Sequence, residues 1–283
     1  MEEWEFSGTA GDGLNLAGRG WRLEDPPRAV LCLAHGISEH SGRYAHVGAS
    51  LCAAGYALLA FDLRGHGRSA GQRGHVPTYD ALLADLALLL GEARARFPGL
   101  PRFLYGHSLG GNMVLNYVLR RRQPLPAGVI CTAPWLRLAY APPVWKVSLG
   151  RAMDRLWPTY SQASGLDRTT LSRDPAVVRA YGQDPLVHDR VSARLYASFA
   201  DAAVWALAHA AELSVPTLLM HGSDDRQCSP AASREFAAAA DGKCTYKEWA
   251  GLYHEIHNEP ERQQVLAAMI AWLDRQLAAA RGV

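Results

Sequence analysis

Along the first half of the chain, short apolar runs alternate with stretches of helical spacing. Positions 4–9 and 14–21 read as two strands joined by a turn at Gly11-Asp12-Gly13. Val30-Leu31-Cys32-Leu33-Ala34 and Tyr56-Ala57-Leu58-Leu59-Ala60-Phe61 are continuous apolar runs, the pattern of strands buried on both faces. Further strands are predicted at 102–105 and 127–133. Helical spacing occupies 44–54, 79–97 and 109–121, and Pro98-Gly99 stops the second of these helices. Strands alternating with helices predict a parallel sheet covered on both faces. The first two strands have no helix between them, so the sheet is predicted to be mixed and to open with an antiparallel ribbon.

The rhythm fails after Pro134. From 135 to about 213 there is no buried-strand run, and the segment is rich in Trp, Tyr, Pro and Arg, with helix-like stretches at 146–156 and 191–211. The sheet pattern resumes at Val215-Pro216-Thr217-Leu218-Leu219-Met220, followed by a helix at 230–240, a strand at 244–249 and a terminal helix at 260–280. The expected organisation is an α/β core of residues 1–134 and 214–283, interrupted by an inserted cap at 135–213. Such an insertion covers the carboxyl edge of the sheet, where ligands bind in open α/β folds.

Composition narrows the function classes. A formal net charge of +2 implies neither a nucleic-acid nor a strongly acidic partner. The run Arg120-Arg121-Arg122 is expected at a helix end, where cations suit the macrodipole. Five cysteines, an odd number with no Cys-x-x-Cys pair, point away from a disulfide scaffold and toward a reducing, cytoplasmic setting. The acidic start Met1-Glu2-Glu3-Trp4-Glu5 has no apolar core of a secretory signal. The longest apolar stretch, 81–90, contains Asp85 and is too short to span a bilayer.

The strongest chemical signal is Gly106-His107-Ser108-Leu109-Gly110, which matches Gly-x-Ser-x-Gly between an apolar strand and an apolar helix. A nucleophile on a sharp strand-to-helix turn needs strained backbone angles, and bulky neighbours at the flanking positions would collide with adjacent elements. Ser108 is the candidate nucleophile, and its hydroxyl needs a base within hydrogen-bond reach. Two later strand ends offer partners: His221-Gly222-Ser223-Asp224-Asp225-Arg226 and Ala250-Gly251-Leu252-Tyr253-His254-Glu255. Periodicity does not separate Asp224 from Asp225, and His257 competes with His254 from further into the next segment. The tetrahedral oxyanion calls for two backbone N–H donors, expected at Leu109 and at Ile37, with Gly36 permitting close approach. No cofactor is implied, and the histidines form no metal set such as His-Glu-x-x-His.

At these residues the chain resembles the monoacylglycerol lipase and lysophospholipase branch of the α/β-hydrolase family, over nearly its whole length. The resemblance is carried by His35-Gly36-Ile37-Ser38-Glu39-His40-Ser41-Gly42-Arg43-Tyr44, by Asp62-Leu63-Arg64-Gly65-His66-Gly67-Arg68-Ser69, by the Ser108 elbow and by Gly222-Ser223-Asp224-Asp225-Arg226. It implies a triad of Ser108, Asp225 and His254, oxyanion donors at Ile37 and Leu109, and a cap shaping an acyl tunnel and a small alcohol pocket. Arg43, His107 and Tyr181 match residues near the glycerol head. Animal monoglyceride lipases place a glutamate four residues before that tyrosine, where this chain has Val177. That departure keeps a lysophospholipase, a broader short-chain carboxylesterase, or an acyltransferase or thioesterase with the same triad in view. The resemblance also puts Cys228 near the triad, where a thiol reagent would crowd the site.

Other residues carry plainer expectations. Arg64, His66 and Arg68 are expected to organise the loop after Phe61, and Glu39 and His40 to cap the helix near Tyr44. The start of the cap, Trp135-Leu136-Arg137-Leu138-Ala139-Tyr140 through Trp145-Lys146-Val147, mixes aromatic with basic residues. It suits peripheral contact with a lipid interface, against the plainer reading of packing between cap and core.

Overall fold

The structure is a computed structural model that describes residues 1–120 and 125–280. Arg121 and Arg122, from the expected basic helix end, lie outside the described residues. The first ribbon is β1 (Glu2–Thr9) and β2 (Asn15–Arg22), paired antiparallel with Glu2 opposite Arg22 and Thr9 opposite Asn15. Then follow β3 (Ala29–Ala34), α1 (Ala45–Ala53), β4 (Tyr56–Phe61), α2 (Tyr79–Arg96), β5 (Arg102–His107), α3 (Leu109–Arg120) and β6 (Gly128–Thr132). The next segment carries α4 (Val144–Leu156), β7 (Ser161–Ala163), α5 (Pro175–Gln183), β8 (Arg190–Ser192) and α6 (Ala193–Ala208). The chain closes with β9 (Thr217–Gly222), α7 (Pro230–Ala239), β10 (Cys244–Trp249) and α8 (Arg262–Ala280).

Eight strands form one mixed sheet in the order β1-β2-β4-β3-β5-β6-β9-β10, parallel from β4 onward. The continuous apolar runs of β3 and β4 are explained by two cores. Val30, Cys32, Ala34, Ala57, Leu59 and Phe61 join the core beneath α2, α3 and α7. The alternate residues Leu31, Leu33, Tyr56, Leu58 and Ala60 join the core beneath α1 and α8. With a helical layer on each face, neither set of side chains meets water.

This topology makes the site. β3 leads into α1 on one face and β5 into α3 on the other, although β3 and β5 are neighbours with Ala34 opposite Gly106. Their loops therefore part at the carboxyl edge and leave a crevice, the switch point of an open α/β sheet. His107 pairs with Thr132 of β6, and Thr132 with Met220 of β9, so the loop after β9 opens on the same edge.

Several expectations are refined. β9 begins at Thr217 rather than 215, because Pro216 has no N–H to donate and contributes only its carbonyl, to Val129 N–H. The stretch 191–211 divides into β8, α6 and a 3₁₀ turn at Ala210–Glu212. The apolar-run criterion misses α5 and the β7–β8 ribbon, although Asp174-Pro175 is a helix-start signal: Asp174 accepts from Ala176 N–H and proline occupies the first turn. His40 does cap the 3₁₀ turn at Ser41–Tyr44, through Nδ1 and the Gly42 N–H. Glu39 does not; its carboxylate binds Gly36 N–H, Arg43 and the Tyr44 hydroxyl. Arg64 fastens the loop after β4 to Asp85 of α2 and to Asp12 in the first turn, and Arg68 reaches Glu5.

Candidate active site

Ser108 occupies the single residue between β5 and α3, with φ of +52°, a left-handed angle that L-residues seldom adopt. Its backbone is locked: Ser108 N–H donates to Thr132 O at 2.9 Å, and Ser108 O accepts from Asn112 and Trp135 N–H, each at 3.0 Å. The two motif glycines are required by space. A Cβ on Gly106 would sit 2.4 Å from Gly110 O, and one on Gly110 would sit 1.9 Å from Ala34 O. No side chain fits where helix, elbow and β3 meet.

Ser108 lines one cavity with Gly36, Ile37, His107, Tyr181 and His254. The buried Cys228 thiol lies near its side chain. Burial pushes that thiol well above its ordinary pKa, with the Asp225 carboxylate adding to the shift, so it is protonated and a weak nucleophile near neutrality.

Of the acid candidates, Asp225 is buried and Asp224 faces solvent on Ser223 Oγ. Asp225 Oδ2 accepts from His254 Nδ1 at 2.7 Å and from His221 Nε2 at 2.9 Å, while Oδ1 accepts from the Gln227 and Cys228 N–H groups at 2.7 and 3.0 Å. Burial by itself would raise this carboxyl, but the two histidines hold it well below the usual carboxylate range. For His254, burial disfavours the cation, yet the neighbouring Asp225 carboxylate outweighs it and the pKa is raised. With Nδ1–H bound to the carboxylate, Nε2 is the basic nitrogen. His257 does not compete. It is stacked on Tyr44 with ring centroids 4.9 Å apart, and burial pushes its pKa down to about 3.

The loop after β3 brings Ile37 to the same crevice. Gly36 N–H is taken by Glu39 Oε1 at 2.6 Å. Among the described residues no acceptor takes the N–H of Ile37 or of Leu109. A Cβ on Gly36 would lie 3.4 Å from Ser108 Cβ and 3.2 Å from the His107 ring, so this loop runs against the elbow. Ser38, at φ of +63°, turns the chain away immediately afterwards.

Arg43, His107 and Tyr181 also gather here. Tyr181 donates to Ser38 O at 3.3 Å and lies 4.8 Å beneath the Arg43 guanidinium. Arg43 bonds Glu39 at 2.6 Å and clasps Glu255 with two bonds of 2.7 and 2.6 Å. Burial alone would raise Glu255, but Arg43 holds it down to about 2. His107 rests on Thr132 Oγ1 at 3.0 Å and is kept neutral chiefly by burial. Glu255 and His221 stand in the segments that supply His254 and Asp225, yet periodicity assigns them no task. Their only sequence signal is an ionisable residue beside a candidate group. Among the described residues no cluster of three or more His, Cys, Asp or Glu forms a metal-ligand set, and no helix is long and apolar enough to cross a membrane.

Residues 25–261 match the family described as serine aminopeptidase, S33. The chain is 36% identical over 276 residues to a monoacylglycerol lipase of Mycolicibacterium smegmatis, covering 96% of each protein. It is 32% identical over 266 residues to the phospholipase YtpA of Bacillus subtilis, covering 91% of this chain and 99% of that one. An abhydrolase domain-containing protein of Dictyostelium discoideum is 34% identical, and the chain spans 29% of its length. Among solved structures, the monoacylglycerol lipase of Paleococcus ferrophilus superposes with a TM-score of 0.85 at 35% identity, covering 92% of this chain and 99% of that one.

Proposed function

Because the chain belongs to the serine aminopeptidase, S33, family, with the α/β-hydrolase fold, we propose that Ser108, His254 and Asp225 act together to cleave carboxylic esters of lipids. The protein is a serine hydrolase of the lipid-ester type. The observation that carries the residue assignment is the 2.7 Å bond from His254 Nδ1 to Asp225, made in a cavity that Ser108 and His254 both line. Ser108 Oγ gives its proton to His254 Nε2 and attacks the ester carbonyl. The ionised Asp225 holds the imidazole in the tautomer that can accept that proton and stabilises the imidazolium that forms. The Ile37 and Leu109 N–H groups take the oxyanion, each worth about 3 kcal/mol of barrier. His254 then protonates the leaving alcohol, and water releases the acyl group from Ser108 by the same steps in reverse.

Arg43 bears on the leaving group. Its guanidinium is occupied by two carboxylates, Glu39 and Glu255, and both of these line the cavity. A pocket with two carboxylates and one matched cation repels a phosphate and accepts hydroxyls as hydrogen-bond donors. The leaving group is therefore a neutral polyol such as glycerol, ahead of a phosphate-bearing headgroup.

Residues 135–213 serve as the cap over this crevice. On α4, no residue is buried, and Val144, Trp145, Leu149 and Leu156 are exposed beside Lys146 and Arg155. This face rests on a lipid interface and admits the substrate's acyl chain. The buried thiols suit a reducing, cytoplasmic setting. The test is a panel of monoacylglycerols, lysophosphatidic acids and short aryl esters, read with wild type and Ser108→Ala. Hydrolysis of medium- and long-chain monoacylglycerols that is lost in Ser108→Ala is the expected result. An optimum at short aryl esters would favour a general carboxylesterase, and transfer to added alcohols in place of hydrolysis would favour an acyltransferase.

A further inference from the structure

His221 sits near the carboxyl end of β9 and is fully buried. Strand alternation puts it on the side of Thr217 and Leu219, facing α7. An apolar side chain would fill that place between sheet and helix. Instead the ring bridges two elements: Nδ1 lies 2.8 Å from Ser233 Oγ of α7, and Nε2 lies 2.9 Å from Asp225 Oδ2. A carboxylate only accepts, so Nε2 carries the hydrogen, and Nδ1 accepts the Ser233 hydroxyl proton. His221 does not line the substrate cavity.

We propose that His221 is a positioning residue for the ester hydrolysis, one that fixes Asp225 in the orientation that meets His254. The proposal rests on the triad assigned above. Asp225 has four donors: two backbone N–H groups on Oδ1, and His221 and His254 on Oδ2. That set fills the acceptor capacity of a carboxylate and leaves it one rotamer. Without His221, a buried oxygen loses a donor in a place closed to water, and the group can turn away from His254. An Asp225 turned from His254 also favours the imidazolium less, so the acid limb of activity moves to lower pH. The other groups facing His254 are Glu255 and Glu39, which favour its cation, and the rings of His107 and His257, which oppose it. None of these changes in the variants below.

The experiment compares wild type with His221→Leu, His221→Gln and Ser233→Ala on an aryl ester, with rates expressed per site titrated by a serine-directed phosphonate. His221→Leu is expected to lower kcat about 10- to 100-fold, the loss of one hydrogen bond to a charged group, with KM little changed. Its kcat/KM profile should have the acid limb at lower pH. His221→Gln, whose amide can donate to Asp225, should recover most of both. A wild-type kcat and limb in His221→Leu would overturn the proposal. So would equal loss in the Leu and Gln variants with the limb unmoved, which is the mark of packing alone. If His221→Leu does not fold, Ser233→Ala decides: it weakens the polarisation of the ring and should move the limb the same way with a smaller loss, and an unmoved limb overturns the proposal. Failure of the triad itself reads differently, as an active Ser108→Ala.

Discussion

Arg43 and Glu255 form a buried two-point ion pair, Nη1 to Oε1 at 2.7 Å and Nη2 to Oε2 at 2.6 Å, and Glu255 is the residue next to His254. Arg43 is also bound to Glu39, whose other oxygen holds Gly36 N–H. One guanidinium thus ties the histidine loop to the loop that carries Ile37. Arg43→Met leaves two buried carboxylates without their shared cation. The expected cost is about 3–5 kcal/mol of folding stability, with kcat falling as both loops loosen. Urea unfolding measures the first and turnover per titrated site the second; unchanged stability would show that the carboxylates have another partner.

The same pair makes stability acid-sensitive. Glu255 is lowered from 4.5 to about 2. A lowered folded-state pKa means the unfolded chain binds the proton more readily, so this stabilisation is present above pH 4.5 and is lost as pH falls toward 2. Glu255→Gln should flatten stability across that window relative to wild type. Thermal midpoints from pH 6 down to about 2 check it, and parallel curves would count against it.

With His254 as the proposed base, activity should depend on pH through its imidazole. Its pKa is raised by Asp225 against the effect of burial. The base must be neutral, so kcat/KM should rise with pH through a midpoint above that of an ordinary histidine. Asp225→Asn removes the carboxylate and favours the wrong tautomer. Its expected effect is a kcat loss of up to about 10⁴-fold. A midpoint below the ordinary histidine value in wild type would contradict the geometry.

Cys228 lies near Ser108, but burial holds its thiol protonated. Inhibition by iodoacetamide should therefore be slow near pH 7 and quicken at alkaline pH, since the thiolate is the reactive form. Cys228→Ala should abolish that inhibition while retaining turnover. Rapid inactivation at neutral pH that survives Cys228→Ala would place the sensitivity elsewhere.

The exposed face of α4 offers a separable test of lipid contact. Replacing Trp145, Leu149 and Leu156 together by serine should reduce binding to anionic phospholipid vesicles severalfold and slow hydrolysis of vesicle-borne substrate. Hydrolysis of a soluble aryl ester should be unchanged, because none of the three lines the site cavity. Equal vesicle binding by both proteins would argue against this face.

The sheet was readable in advance because burial on both faces requires uninterrupted apolar runs, and β3, β4 and β5 obey that requirement. Ser108 was readable because the steric demands on Gly106 and Gly110 leave a fixed spacing in the chain. α5 and the β7–β8 ribbon were not, since they are short, half-exposed and carry no run that periodicity detects. Position alone assigns Glu39 to a helix cap, whereas its carboxylate turns inward to Gly36 and Arg43.

What one-dimensional pattern determined here is whatever local sterics and burial imprint on adjacent residues: strand and helix order, the elbow, and the strand ends from which partners could come. The resemblance implies Asp225 over Asp224, but tertiary structure alone shows why it turns inward to His254, that Arg43 meets Glu255 from 212 positions away, and that His221 bonds Asp225. Those choices depend on directions and distances in space. A side chain's partner is set by how β3, β5 and β9 lie side by side, and no local spacing in the chain encodes that.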